Sequence, residues 1–356
     1  MTNIHELYIQ RCIDLARNGL GLVAPNPMVG AVVVHNEQVI GEGFHTTYGK
    51  PHAEVEAINQ VKDQSLLPDS TLYVNLEPCN HQGKTPPCTD LILRTGIKRV
   101  VNGQTDPNTT ASGGISKLRE NGVEVITGVL NEESRQLNRR FNTYHEHQRP
   151  YLILKWAQTT DGFVDTLRDK PGNQNPAWIT DETCRMLVHK WRAEEPAILT
   201  GSRTILLDNP QLNVRCWTGK NPLRITIDRK GDLRQEKETG DRKLPLRRIF
   251  DGETPSLIYT YTDEENRPNV EFIRISPDEP VWPQVMADLY KRKIQSVLIE
   301  GGPTLFETLI REDLWDEARV FIGPGWFGNG LKAPHFPFQP TQSETIGNSR
   351  LLQFYH

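Results

Sequence analysis

Apolar and polar residues recur along this chain with two different periods, and the change of period marks where helices give way to strands. Over residues 4–17 the apolar positions Tyr8, Ile9, Cys12 and Leu15 fall at helical spacing, which predicts an amphipathic helix. Residues 29–34 and 39–44 are apolar runs either side of the polar turn His35-Asn36-Glu37, and 71–76 is a third run; all are expected strands. Residues 54–58 and 88–93 each read as a helix opening, the second directly after Pro86-Pro87. Short strands are expected at 98–101 and 123–126, separated by Asp106-Pro107-Asn108 and a helix around 115–119. Strands alternating with helices give a layered α/β fold class. The polar, helix-like stretch 131–144 is followed by Gln148-Arg149-Pro150, where proline breaks the helix. A domain boundary near residue 147 follows, with domains 1–146 and 147–356.

In the second half, Ser296-Val297-Leu298-Ile299-Glu300 has the pattern of a buried strand. The turn Gly301-Gly302-Pro303-Thr304 follows, and a helix starts at 305–310. Backbone amides at such a helix start accept an anion, and two glycines let a phosphate approach closely. The same triplet is equally an ordinary strand-to-helix turn. No Walker loop occurs, and motif alone gives no standard dinucleotide fold. Residues 230–248 are dense in charge and poor in core residues, which reads as a surface excursion. No internal repeat is found.

Length and charge narrow the class. A chain of 356 residues exceeds one ordinary core. No apolar run approaches the roughly 20 residues of a membrane helix. The opening Met1-Thr2-Asn3-Ile4-His5-Glu6-Leu7 has no basic segment before an apolar core, so no signal peptide and a cytoplasmic location are expected. A net charge of −4 argues against a general nucleic-acid-binding surface. Small-molecule partners are expected, with neither nucleic acid nor membrane, and homo-oligomerisation is left open.

Pro51-His52-Ala53-Glu54, Glu77-Pro78-Cys79 and Thr85-Pro86-Pro87-Cys88 carry the chemistry. Zinc favours nitrogen and sulfur ligands, and a catalytic site keeps one position open, so His52, Cys79 and Cys88 are the expected metal ligands. Glu54, two residues past the histidine, is the expected catalytic proton shuttle. Such a kit performs hydrolytic deamination of an amidine-like ring carbon. Cys79 and Cys88 are nine residues apart, where the usual nucleobase-deaminase signature has three. A purely structural or disulfide role is the alternative for the pair. Cys12, on an apolar stripe, Cys184, in an expected helix, and Cys216, after a loop, are read as non-ligands.

The long insert in Glu77-Pro78-Cys79-Asn80-His81-Gln82-Gly83-Lys84-Thr85-Pro86-Pro87-Cys88 resembles the deaminase motif of the bifunctional riboflavin-biosynthesis deaminase/reductases. Ala24-Pro25-Asn26-Pro27-Met28-Val29-Gly30 resembles that family's N-terminal substrate loop. Four further segments resemble its reductase motifs in order: 155–162, Trp178-Ile179-Thr180, Asp208-Asn209-Pro210 and 300–304. The resemblance covers nearly the whole chain and implies a cytidine-deaminase-like α/β/α domain followed by a dihydrofolate-reductase-like α/β domain. It implies one zinc ion in the deaminase, with Asn26, His45, His81 and Lys84 near the pyrimidine or its ribose phosphate. In the reductase it implies NADPH against Gln158, Trp178, Thr204, Asp208 and the turn Gly302, Pro303, Thr304, Leu305, Phe306, Glu307 and Thr308. Substrate would be held by Arg192, Leu212, Arg215 and Glu300, with Lys155 and Glu300 assisting proton transfer as the ribosyl group becomes ribityl. Arg192 and Arg215 offer planar donors suited to a phosphate monoester. Taken singly, Trp178 also reads as a core residue and Asp208 as the opening of a turn. Two positions depart from the family pattern: Pro176 stands where a hydroxyl residue would contact substrate, and Arg229 where a small hydroxyl would touch cofactor. Two other readings remain: a nucleoside or tRNA deaminase with a C-terminal binding domain, or a second half that is a structural or oligomerisation module.

Overall fold

The computed structural model describes residues 3–82, 86–167, 178–234 and 247–356. Lys84, Pro176 and most of the charged run 230–248 therefore lie outside the described residues. The chain divides into two compact units, Met1–Gln148 and Arg149–His356.

In the first unit, α1 (Ile4–Ala16) starts at Asn3, whose side chain accepts the His5 N–H at 3.1 Å. The hairpin β1 (Gly30–His35) and β2 (Gln38–Phe44) turns on Asn36 and Glu37, both left-handed at φ 47° and 62°. Two such residues are what a tight hairpin compatible with strand twist requires. The remaining elements are α2 (Ala53–Gln60), β3 (Thr71–Leu76), α3 (Cys88–Thr95), β4 (Arg99–Gln104), α4 (Gly114–Glu120), β5 (Glu124–Thr127), α5 (Asn131–Leu137) and α6 (Arg139–His147). The sheet order is β2-β1-β3-β4-β5, antiparallel on both sides of β1 and parallel from β3 onward. Alternate strand residues face opposite layers. Ala31, Val33, Leu72 and Val74 pack with residues of α2, α3 and α4, and Val32, Val34 and Tyr73 pack with α1.

The helix expected over 131–144 is two helices meeting at Asn138. This buried side chain accepts the Met28 N–H at 2.8 Å and donates to the Met28 carbonyl at 3.0 Å, and its backbone leaves the helical range. Buried Asn75 makes the parallel contacts, accepting from Gly30 N at 2.8 Å and donating to Met28 O at 3.0 Å. Two buried amides thus fix the loop that carries Asn26.

The second unit comprises β6 (Tyr151–Thr159), β7 (Phe163–Asp165), α7 (Glu182–Glu194), β8 (Ala197–Gly201), α8 (Ser202–Asp208), β9 (Leu223–Ile227), β10 (Ser256–Thr260) and β11 (Val270–Arg274). Then come α9 (Val281–Lys291), β12 (Ser296–Glu300), α10 (Pro303–Arg311), β13 (Glu317–Gly323), β14 (Leu331–Lys332), β15 (Gln342–Ile346) and β16 (Ser349–Tyr355). Among the described residues the main sheet runs β11-β10-β9-β8-β12-β6-β13-β16-β15, parallel from β11 to β13. Helix α10 begins at Pro303, two residues before the expected start, because proline suits the first helical position, where no N–H is needed. Phe306 and Leu309 of α10 join the core with α9, whereas Ile205 of α8 packs on the opposite face with Ile258 and Phe272. The helices after neighbouring strands β8 and β12 thus leave to opposite sides. Such a divergence marks the point, at the carboxyl ends of the strands, where open α/β sheets bind ligands.

A Cβ on Gly30 would sit 2.1 Å from the Cys12 carbonyl oxygen of α1. Gly30→Ala is expected to destabilise the first unit by about 1–3 kcal/mol, read as a lower denaturation midpoint. An unchanged midpoint would show that α1 shifts freely on the sheet.

Candidate active sites

The deaminase-type residues come together at two helix starts. His52 is the residue before α2, and Cys88 is the first of α3. His52 Nδ1 lies 3.5 Å from Cys79 Sγ and 3.3 Å from Cys88 Sγ, and the three donor atoms all lie within 4.8 Å of one another. A tetrahedral zinc, roughly 2.3 Å from sulfur and about 2.05 Å from nitrogen, sets sulfur and nitrogen donors about 3.6 Å apart. The triad fits that ion, and it is the one such group among the described residues. Cys79 also caps α3: its sulfur accepts the Cys88 N–H at 3.4 Å and its carbonyl the Thr89 N–H at 3.3 Å. Hydrogen bonding from Cys88 and His52 lowers the Cys79 thiol to about 4, overcoming its burial. A preformed thiolate is the metal-ligating form.

Glu54 is buried in the first turn of α2, two residues past His52. Burial pushes its carboxyl up against the pull of His52. Asn26 and His45 meet: Asn26 Nδ2 is 3.0 Å from His45 Nε2, and His45 Nδ1 is 2.9 Å from the Pro51 carbonyl oxygen. That oxygen only accepts, so Nδ1 carries the proton and Nε2 accepts from Asn26. Burial lowers the His45 pKa, which keeps the ring neutral. The His45 and His52 rings are 5.6 Å apart, edge to face, which places this pair beside the metal triad. His81 Nδ1 is buried without a partner among the described residues.

Two carboxylates here escaped the reading of the sequence. Glu77 accepts from Gly113 N at 3.0 Å, Ile115 N at 3.1 Å and Asp106 N at 3.1 Å, so it anchors the first turn of α4 beside the ligand loop. Asp106 was legible only as part of a turn. Burial, opposed by the Asn108 N–H and reinforced by the charges of Glu77 and Cys79, raises its carboxyl to about 7. The partners are distant in sequence, so only tertiary structure reveals them.

In the second unit Glu300 ends β12 in register with Lys155 of β6. Arg192 of α7 grips both Glu300 oxygens at 2.7 and 2.9 Å and donates to the Asn213 carbonyl at 3.1 Å. Lys155 Nζ lies 3.6 Å from Glu300. Burial alone would push the Glu300 carboxyl up, yet the Arg192 and Lys155 cations hold it at about 2. Burial lowers the Lys155 pKa. Buried Leu212 and exposed Arg215 belong to the loop that Arg192 holds.

The residues expected at the cofactor occupy varied positions in the second unit. A Cβ on Gly302 would stand 3.9 Å from Thr204 Oγ1, which brings those two together across β8 and β12. Gln158 Oε1 accepts from Trp156 Nε1 at 2.8 Å. Trp178 is 68% exposed with the Arg185 guanidinium 5.5 Å from its ring, so the core reading of this residue does not hold. Phe306 is fully buried against Trp156, and Pro303 is buried too, so neither side chain reaches a ligand. Thr304 and Glu307 are exposed, and Leu305 and Thr308 are half-buried. Asp208 is the exposed last residue of α8, and Arg229 is exposed just after β9.

Two family descriptions match the chain: the cytidine and deoxycytidylate deaminase zinc-binding region over residues 2–104, and the RibD C-terminal domain over residues 150–353. The chain is 38% identical over 335 residues to the riboflavin biosynthesis protein RibD of Aquifex aeolicus (strain VF5), spanning 92% of this chain and 89% of that protein. It is 35% identical over 349 residues to RibD of Escherichia coli (strain K12), spanning 92% and 89%. Among solved structures, a diaminohydroxyphosphoribosylaminopyrimidine deaminase/5-amino-6-(5-phosphoribosylamino)uracil reductase from Thermotoga maritima is similar with a TM-score of 0.85 at 39% identity, over 99% of this chain and 98% of that one.

Cys88→Ser replaces a thiolate ligand by a hydroxyl that stays protonated, so bound zinc is expected to fall far below stoichiometric. Metal analysis after dialysis checks this, and full zinc retention would remove Cys88 from the ligand set.

Proposed function

The chain belongs to the RibD family of bifunctional riboflavin-biosynthesis enzymes, and from that premise we propose how its own residues divide the work. The protein is a zinc-dependent deaminase with a cytidine-deaminase-like domain, followed by an NADPH-dependent reductase. The observation that carries the assignment of residues is the His52, Cys79 and Cys88 triad with buried Glu54 beside it. The domains divide at residues 146 and 147 in this reading. The substrate is a diaminopyrimidine ribosylamine phosphate, deaminated first and reduced from ribosyl to ribityl second. No described helix is long and apolar enough to cross a membrane, and the cytoplasm is the compartment assigned here.

Zinc held by His52, Cys79 and Cys88 supplies, when bound, the Lewis acid that makes water nucleophilic near neutral pH. Glu54 takes the proton from the attacking water and returns it to the departing amine. Its burial suits both tasks, since a raised carboxyl pKa lets one group hold and release a proton. Asn26, with its amide nitrogen committed to His45, turns its Oδ1 toward a donor on the pyrimidine. His81 and Lys84 are assigned to the ribose phosphate.

In the reductase, NADPH supplies the reducing equivalents when bound, against Gln158, Trp178, Thr204, Asp208 and the first turns of α10. Lys155 gives a proton to the sugar as its ring opens, because burial weakens its hold on that proton. Glu300 is ionised and paired, so its part is to hold Lys155 and Arg192 in place, which narrows the expected proton transfer to the lysine. Arg192 and Arg215 face the substrate phosphate.

Glu54→Gln keeps the shape and removes the proton acceptor, so zinc should remain while uracil-product formation is lost; normal deamination by this variant would sink the shuttle role. In the other half, Arg215→Ala should weaken substrate binding by about one to two decades, as loss of a charge-assisted contact does. Gly302→Val should instead weaken NADPH binding. The nearest atom to a Cβ at Gly302 is 3.9 Å away, so the added side chain meets the cofactor rather than the protein. Separate titrations with NADPH and the ribosylamine phosphate check both; a loss of NADPH by Arg215→Ala would reverse the placement.

A further inference from the structure

Two residues on one face of α7 grip the same short segment of chain. Arg192 Nη1 donates to the Asn213 carbonyl at 3.1 Å, and three residues earlier His189 Nδ1 accepts the Arg215 backbone N–H at 3.0 Å. Between these contacts Val214 N donates to Asn221 Oδ1 at 2.9 Å. The Arg215 side chain is steered from within the segment, Nη1 donating to Asn213 Oδ1 at 2.5 Å. Leu212 enters the segment with a left-handed φ of 53°, a conformation that a leucine holds only when its surroundings fix it.

A backbone N–H only donates, so His189 Nδ1 must be bare and the ring proton must sit on Nε2. The ring is buried, and burial with the Arg192, Arg215 and Arg185 cations pulls its pKa down to about 4 against the opposing pull of Glu300. The imidazole is therefore uncharged at neutral pH. Its surroundings are lopsided in charge. Arg185 and Arg192 of α7 and Arg215 of the loop face it with the single carboxylate Glu300 of β12, which Arg192 already holds with two bonds. An imidazolium would add a further cation and break the bond to Arg215.

We propose that His189 is the positioning residue of the reductase's phosphate subsite, its bare Nδ1 fixing the backbone from which Arg215 reaches the substrate's phosphate monoester. This rests on the assignment of Arg215 to that phosphate. His189 does not itself touch the reacting atoms. It sets where the guanidinium stands when the dianion arrives.

Two near-isosteric variants separate this role from simple packing. His189→Asn keeps an acceptor oxygen near the Nδ1 position, whereas His189→Gln carries its polar atoms further out, near Nε2. The full-length enzyme is assayed for reductase KM and kcat and for inhibition by inorganic phosphate, with NADPH titration on the same samples reporting an intact fold. The Gln variant should raise KM and the phosphate inhibition constant about tenfold, with kcat and NADPH affinity within about twofold, and the Asn variant should restore most of the loss. Equal loss in both variants, or no loss in either, overturns the proposal. Arg215→Ala is measured alongside. If it weakens phosphate inhibition while the Gln variant does not, only the role of His189 falls; if Arg215→Ala changes neither KM nor phosphate inhibition, the phosphate assignment falls and the proposal with it.

Discussion

The first turn of any helix leaves backbone N–H groups without intrahelical partners, and a buried one must find an acceptor. In the deaminase two such turns converge on Glu77-Pro78-Cys79. The Glu77 carboxylate takes amides at the start of α4, and the Cys79 carbonyl and sulfur take the first amides of α3. Gly114 lets this happen, because a Cβ there would lie 1.9 Å from the Pro78 carbonyl oxygen. The ligand sulfur is thus placed by the same contacts that complete the fold. Metal geometry and helix capping cannot be altered separately at this point.

Two buried carboxylates show how neighbours decide a role. Glu54 has burial as its largest influence and is pushed toward holding a proton. Glu300 is largely buried too, yet the Arg192 guanidinium clamps both its oxygens and Lys155 stands close, so it stays ionised. One residue type therefore has its carboxyl pKa raised in the first unit and lowered in the second. The difference lies in the presence of cations within contact distance.

Local pattern made much of this legible. Helical spacing gave α1, the polar pair Asn36-Glu37 gave the hairpin, and residue chemistry with two helix starts gave the metal triad. What stayed hidden depends on partners far along the chain. The break at Asn138 follows from its bonds to Met28, 110 residues away, and Arg192 finds Glu300 across 108. Glu77 looks like any acid until three distant amides surround it. His189, a polar residue in an amphipathic helix, gave no local sign of the Arg215 backbone it holds. Trp178 was ambiguous because an aromatic residue reads alike in a core and on a ligand-facing surface.

The pairing of β6 has a consequence for how the second unit is made. This strand is the first of its sheet to be synthesised, yet its two neighbours, β12 and β13, begin at Ser296 and Glu317. Both of its hydrogen-bonding edges stay open until those distant strands have been made, about 10–30 s at ordinary elongation rates. Over that interval the apolar residues Leu152, Ile153 and Leu154, destined for the middle of the sheet, have no native strand beside them. The sheet of the second unit therefore closes around β6 only after β12 and β13 have been made, and the nascent chain is most exposed to mispairing at the strand that carries Lys155.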